Sequence, residues 1–262
     1  MMGLLETAIS GRARRTSHSH VVNELGKAII GGVYPVGSIL PGDSELVARF
    51  HVSRTVLREA MKTLSAKGLI VPRARIGTRV TERREWNLFD ADVLTWHLER
   101  GVDRTFLIHL CDMRLSFEPY AAGLAAGRAG PETARHLLAL AEDMASAPSH
   151  EDLIMADLRF HLAVLQASEN PFMYGVGTLI EAALVAAFGL SSPDVPSRET
   201  ERIGLSHRTI AEAIARGDTE AASEAMRKVI LTGRDQALDR IKEAALRSRP
   251  PDDMNLSRRR GR

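Results

Sequence analysis

A single cysteine, Cys111, stands in the 262 residues of this chain, so no intrachain disulfide is possible and a reducing compartment is expected. That thiol reads as a small buried core residue rather than a nucleophile. Aromatic residues are scarce, at 5%, while Ala, Leu and Arg crowd the second half, which favours helix over sheet. No apolar run approaches the ~20 residues that cross a bilayer, which argues against any membrane-spanning role. The opening residues, MMGLLETAISGRARRTSHSH, lack the apolar core of a signal peptide. The expectation is a cytoplasmic protein with a frayed start.

Charge is small in sum and uneven in place. The net is +2, yet residues 1–85 hold 14 Lys+Arg against 7 Asp+Glu, and residues 247–262 hold 6 against 2. The middle, 86–246, is left with 15 against 24. A basic front on an acidic body suits a nucleic-acid-binding head on an effector or oligomerisation body, although uneven charge also serves solubility alone.

Residues 18–82 read as a winged helix-turn-helix. A first helix is expected over His20–Ile30, ended by Gly31-Gly32. Pro41 is expected to open a second helix, with Asp43 and Glu45 near its positive end, running to Phe50. His51-Val52 makes the turn, Ser53 caps a third helix over Arg54–Lys67, and Gly68 stops it. Leu69–Val71 and Thr78–Val80 then form a basic hairpin around Arg73, Arg75 and Gly77.

The third helix would enter a major groove with its first turns. Arg54 and Arg58, one turn apart, share its outward face, and an arginine reads guanine through two hydrogen bonds. Thr55 is short enough for a phosphate or a thymine methyl, and Ser53 lies at the helix start. Gly77 lets the wing approach the minor groove, with Arg75 or Arg79 on phosphates. Any one of these arginines alone reads as solvated surface; the ordered set Ser53, Arg54, Thr55, Arg58, Arg75 and Gly77 reads as a DNA face.

Leu40-Pro41, Leu46, Ala48, Phe50, Val52-Ser53-Arg54, Leu57-Arg58-Glu59-Ala60, Leu64, Gly68-Leu69-Ile70 and Gly77-Thr78-Arg79-Val80 together resemble the head of the GntR superfamily of transcription regulators. One departure is Ser44, where many members carry arginine; the resemblance then implies a different operator.

After a linker and docking helix (83–101) with Trp86 and Trp96, residues 102–246 are expected to form an antiparallel all-helical bundle. Amphipathic helices are placed at 90–100, 103–127, 131–146, 150–169, 171–190, 197–216 and 218–246, with turn residues between them. The fold class is therefore mainly α, a winged head plus a helical bundle. The tail, 247–262, is Pro- and Arg-rich and expected to be disordered.

Polar constellations interrupt the apolar faces of these helices. Arg114 and Glu118 lie one turn apart; such a pair is commonly a solvated bridge, whereas an inward arginine would anchor a carboxylate. Asp157 and His161 have the i, i+4 spacing that suits a divalent metal, with His207 able to join from another helix, though nine histidines make chance pairs common. Ser168-Glu169-Asn170-Pro171 is ordinary turn chemistry, or else turns Asn170 to a bundle cavity.

The body is similar to the ligand-binding FCD domain of the FadR branch of that superfamily. That pattern is an R-x-x-x-E pair, then D-x-x-x-H with a following S-x-N turn, then later histidines. The resemblance implies Arg114, Asp157, His161, Asn170 and His207 as effector contacts. It implies Asp157, His161 and His207 as ligands for zinc or nickel; the final histidine position holds Val229. Residues 86–96 resemble the post-wing segment of galactonate-responsive members. The expected partners are then operator DNA, a second copy of the chain in a homodimer, and a small carboxylate effector, a sugar acid such as galactonate. A metal-dependent helical enzyme fused to a DNA-binding head is the alternative, and a DNA-associated structural protein a third reading.

Overall fold

The computed structural model describes residues 16–188 and 197–247. The frayed start, the Ser191-Ser192-Pro193 break and nearly all of the expected disordered tail lie outside the described residues. The chain divides into two compact units, Met1–Val102 and Asp103–Arg262.

In the first unit, α1 (Ser17–Ile30) starts three residues earlier than its apolar pattern suggests, because the Thr16 side chain accepts from the Ser19 N–H and caps it. Helix α2 (Asp43–Phe50) does not open at Pro41: Gly42 is the cap residue. A residue before proline is held extended, and here Leu40 is stitched to the wing, its N–H donating to the Thr78 carbonyl at 2.8 Å. Pro41 therefore ends an extended segment instead of starting a helix. His51, in left-handed backbone (φ 53°), makes the sharp turn into α3 (Arg54–Ala66). That helix buries Leu57, Ala60 and Leu64, while Val56 and Met61 are only half-buried. Strands β1 (Ile70–Arg73) and β2 (Gly77–Val80) pair antiparallel, Ile70 with Val80 and Arg73 with Gly77. Gly77 takes φ 111°, a conformation that a side chain would strain.

The post-wing segment folds into this same unit. Trp86, Val93 and Trp96 join the core built by Val21, Leu25, Leu46, Leu57 and Leu64. Helix α4 (Ala91–Arg100) places the Trp96 ring flat against Gly26 of α1, and the indole N–H donates to Asn23 at 2.9 Å. Lys67 bridges Asp90 and Asp92 at 2.7 and 2.8 Å. A methyl at position 26 would sit 2.4 Å from the indole ring. Gly26→Ala gains about 1 kcal/mol of helix propensity. The ring is pinned, so overpacking of about 1–3 kcal/mol should dominate. The expected result is a lower melting temperature and a red-shifted emission; both tryptophans lie in this unit, so fluorescence reports on it alone. Unchanged emission and melting would show that the indole can yield.

Among the described residues the second unit's regular elements are all helices: α5 (Arg104–Arg128), α6 (Pro131–Ala145), α7 (His150–Ala167), α8 (Pro171–Tyr174), α9 (Gly177–Phe188), α10 (Ser197–Ala215) and α11 (Thr219–Arg247). Asp103 caps α5 and Ser149 caps α7 through their side chains. Helix α5 packs along α11, and α6 along α10. The core between them holds Leu137, Met144, Phe160, Val164, Ile210, Ile214 and Met226. The helix expected at 171–190 is two. The break falls at Gly175-Val176, glycine costing about 1 kcal/mol against alanine in a helix, and Gly177, which opens the second helix, lies so close to Leu162 that a Cβ would meet it at 2.9 Å.

Candidate functional site

In the first unit, Ser53, Arg54, Thr55 and Arg58 are all exposed on the first turns of α3. Ser53 Oγ accepts from the Val56 N–H at 3.2 Å, which fixes where the helix begins and so which side chains lead it. Arg75 and Gly77 are exposed at the tip of the wing, Arg75 in left-handed backbone (φ 62°). Arg73 and Arg79 stand exposed on the same hairpin.

In the second unit, helices α5, α7 and α10 bring one buried polar cluster together. Arg114, Glu118, Asp157, His161 and His207 are each at most 8% exposed. The Arg114–Glu118 pair is therefore not a surface bridge: the guanidinium donates through Nε at 2.5 Å and Nη2 at 3.2 Å. Its helix is apolar on several faces, and such a helix buries its polar residues with the rest. Glu118 also accepts from His161 Nδ1. That leaves His161 Nε2 as a lone pair; Arg114 Nη2 stands 3.1 Å from Nε2 and 3.4 Å from Nδ1, beside the ring and off the line of that lone pair. His207 Nδ1 donates to the Ile203 carbonyl at 2.8 Å, so its Nε2 faces inward, 2.9 Å from Asp157 Oδ1 and 3.3 Å from His161 Nε2. The Phe160 ring meets His207 edge to face and helps hold it there.

The electrostatics follow from this packing. Burial alone would raise the Glu118 carboxyl, but the Arg114 charge and then His161 overcome it and hold it at about 2. Asp157 is likewise held at about 2, burial being outweighed by His207, His161 and Arg114. Burial works against the Arg114 charge too, and Glu118 more than compensates.

The cluster faces a cavity of about 380 Å³, a size that suits a small ligand. Arg114, Asp157, His161 and His207 line it, as do Cys111, Glu199, Arg202, Lys228, Val229, Arg234 and Arg240. Asn170 does not: its Oδ1 accepts from the Phe172 N–H at 3.1 Å and caps α8. An Asn-Pro pair at a helix start puts the amide on the backbone, so the turn reading prevails there. Sequence reasoning paired Glu118 with Arg114 but did not see it fixing the His161 tautomer. It also missed the cations of α10 and α11, which carry no spacing signal. Cys111 is buried, as expected, and burial pushes its thiol up, which keeps it protonated and unreactive.

Asp157, His161 and His207 are a fitting donor set for a divalent metal. Their ligand atoms lie within 4.8 Å of one another and are buried. A metal with bonds of about 2.1 Å sets neighbouring donors about 3.0–3.4 Å apart, close to the 2.9, 3.3 and 3.9 Å observed. Each imidazole already gives its outer N–H to an oxygen, Glu118 for one and the Ile203 carbonyl for the other, which is what orients histidine ligands. Val229 lines the cavity and supplies no fourth donor.

Residues 17–80 match the gntR family of bacterial regulatory proteins, and residues 109–232 match the FCD domain. The regulator YieP of Escherichia coli, itself uncharacterised, is 35% identical over 83% of this chain and 94% of its own. The galactonate operon transcriptional repressor of the same species is 34% identical over 78% of this chain and 90% of its own. The solved structure of Lar from Listeria monocytogenes has a similar fold, with a TM-score of 0.60 at 22% identity, covering 86% of this chain and 98% of that one. Among the described residues no helix is long and apolar enough to cross a membrane. The relatives are transcription regulators, and the metal-dependent enzyme reading falls with that kinship. With a winged head and a helical receptor each matched in one chain, this protein belongs to the gntR family of bacterial regulatory proteins, as a DNA-binding transcription regulator with an FCD domain.

Proposed function

We propose that this regulator is a cytoplasmic, homodimeric repressor that leaves its operator when a sugar acid such as galactonate enters the bundle. Arg54, Thr55 and Arg58 read bases from the leading turns of α3. Ser53, Arg75 and Gly77 bring backbone and charge to the phosphates and the minor groove. A dimer sets two such heads on the halves of a pseudo-palindrome. Arg114 takes the effector carboxylate, and Asp157, His161 and His207 hold zinc or nickel, which would supply a Lewis-acid anchor for the acid's oxygens. The effector shifts the protein off DNA only in so far as it binds the released state more tightly.

One observation carries this reading. A buried arginine and three inward-facing metal-type donors line a ligand-sized cavity in a chain about one-third identical to a galactonate operon repressor. The test is release of the protein from a promoter fragment near its own locus by D-galactonate, with zinc present and again after chelation. Release that needs both acid and metal is expected. DNA binding indifferent to every sugar acid tried would sink the effector assignment, and release that survives chelation would remove the metal from it.

A further inference from the structure

The cavity has two ends, and only its floor is used by the reading above. Arg114, Asp157, His161 and His207 are buried, so they form the floor; Arg202 and Lys228 are exposed, so they stand at the mouth. Among the lining residues five are cationic (Arg114, Arg202, Lys228, Arg234, Arg240) and two are acidic (Asp157, Glu199). The floor cation is satisfied by Glu118 and Arg240 is paired with Glu199. Among the described residues Arg234 has an ion pair only with the exposed Asp235 beside it, and its charge reaches the Cys111 thiol in the cavity wall. Among the described residues no ion pair involves Arg202 or Lys228. An aldonate has a single anionic end, and bound at the floor it would leave that surplus unanswered.

From this we infer that the mouth of the cavity is a second anion subsite, formed by Arg202 and Lys228 with Arg234 behind them, so that the effector carries a negative group at both ends. Arg202 precedes His207 by five residues, about 7.5 Å along α10. An extended six-carbon chain spans about 6 Å, with C–C bonds of about 1.5 Å. A sugar acid with its carboxylate on the floor therefore brings its far carbon to the level of Arg202, where a second carboxylate or a phosphate would meet the guanidinium, and Lys228 lines the same cavity from α11. Charge-assisted hydrogen bonds of this kind are the strong ones. The inference rests on the sugar-acid reading for the chain between the two ends, but not for the anion subsite itself.

The experiment has two arms, both on the full-length protein at fixed ionic strength. In the first, inorganic phosphate is titrated by calorimetry. Binding should weaken about tenfold or more in Arg202→Ala/Lys228→Ala and stay unchanged in Arg135→Ala, an exposed arginine of α6 outside the cavity lining. No saturable binding, or binding indifferent to the mouth variant, overturns the inference. In the second arm D-galactonate is compared with D-galactarate and 6-phospho-D-galactonate. The two-ended acids should bind about tenfold tighter, and the mouth variant should erase that advantage without weakening galactonate. The tighter of the two identifies the far group as carboxylate or phosphate, and equal affinity for all three overturns the inference. If no acid binds while phosphate behaves as expected, the sugar-acid reading fails and the subsite stands.

Discussion

Arg58→Ala is expected to abolish operator recognition while leaving the fold intact. The side chain is exposed, and the packing on either side of it is done by Leu57 and Ala60, which the substitution does not touch. An arginine reading guanine is worth about 1–3 kcal/mol of discrimination. The proposed dimer would carry two copies, which doubles the loss to about 2–6 kcal/mol, roughly 30-fold to 10⁴-fold in specific affinity. Fluorescence anisotropy with the operator and with an unrelated duplex, at one salt concentration, separates the specific term from general phosphate attraction. The melting temperature should not move. A variant that still prefers its operator by the wild-type factor would place base reading elsewhere on the head.

The second large effect lies in the bundle, and here the structure changes the experiment that the sequence alone would recommend. Arg114→Ala looks like a clean removal of an effector contact. It is not, because Glu118 is 1% exposed and would be left as a buried charge without its partner. Breaking such a pair costs about 3–5 kcal/mol, so that single variant should melt early whatever Arg114 does for a ligand. Arg114→Met/Glu118→Gln removes both charges at similar volume, and the glutamine carbonyl still accepts from His161 Nδ1. This double variant should fold and bind operator as wild type does. It should need about 100-fold more acid for release, since two hydrogen bonds to a charged group are lost. Thermal melts check the first claim and acid titration of the operator complex checks the second. Release at the wild-type acid concentration would take Arg114 out of the effector site.

The head was legible because its signals are local. Ser53 before an apolar-periodic run, Gly68 after it and the basic hairpin around Gly77 each act on neighbouring backbone, and each marks the boundary that the structure shows to within a residue or two. Pro41 misled because its own fixed φ is compatible with a helix start, whereas the deciding bond runs from Leu40 to Thr78, nearly forty positions away. The 171–190 helix misled for a different reason: two glycines are a weak local cost, and the close approach of Gly177 to the Leu162 side chain is a tertiary contact. Asn170 matched a pattern, and local capping geometry claimed its side-chain oxygen first.

The order of the chain by itself determined that a basic winged head precedes an all-helical body, that α3 leads with Arg54, Thr55 and Arg58, and that Asp157 and His161 share a helix face. Those properties follow from periodicity, capping and backbone limits acting over a few residues. Only the tertiary structure decided that Arg114 and Glu118 are inside, that Glu118 and the Ile203 carbonyl turn both imidazole Nε2 atoms inward, and that the cations of α10 and α11 ring one cavity mouth. The reason is that helical spacing sets which residues share a face, while the packing of α5, α7, α10 and α11 sets what that face meets.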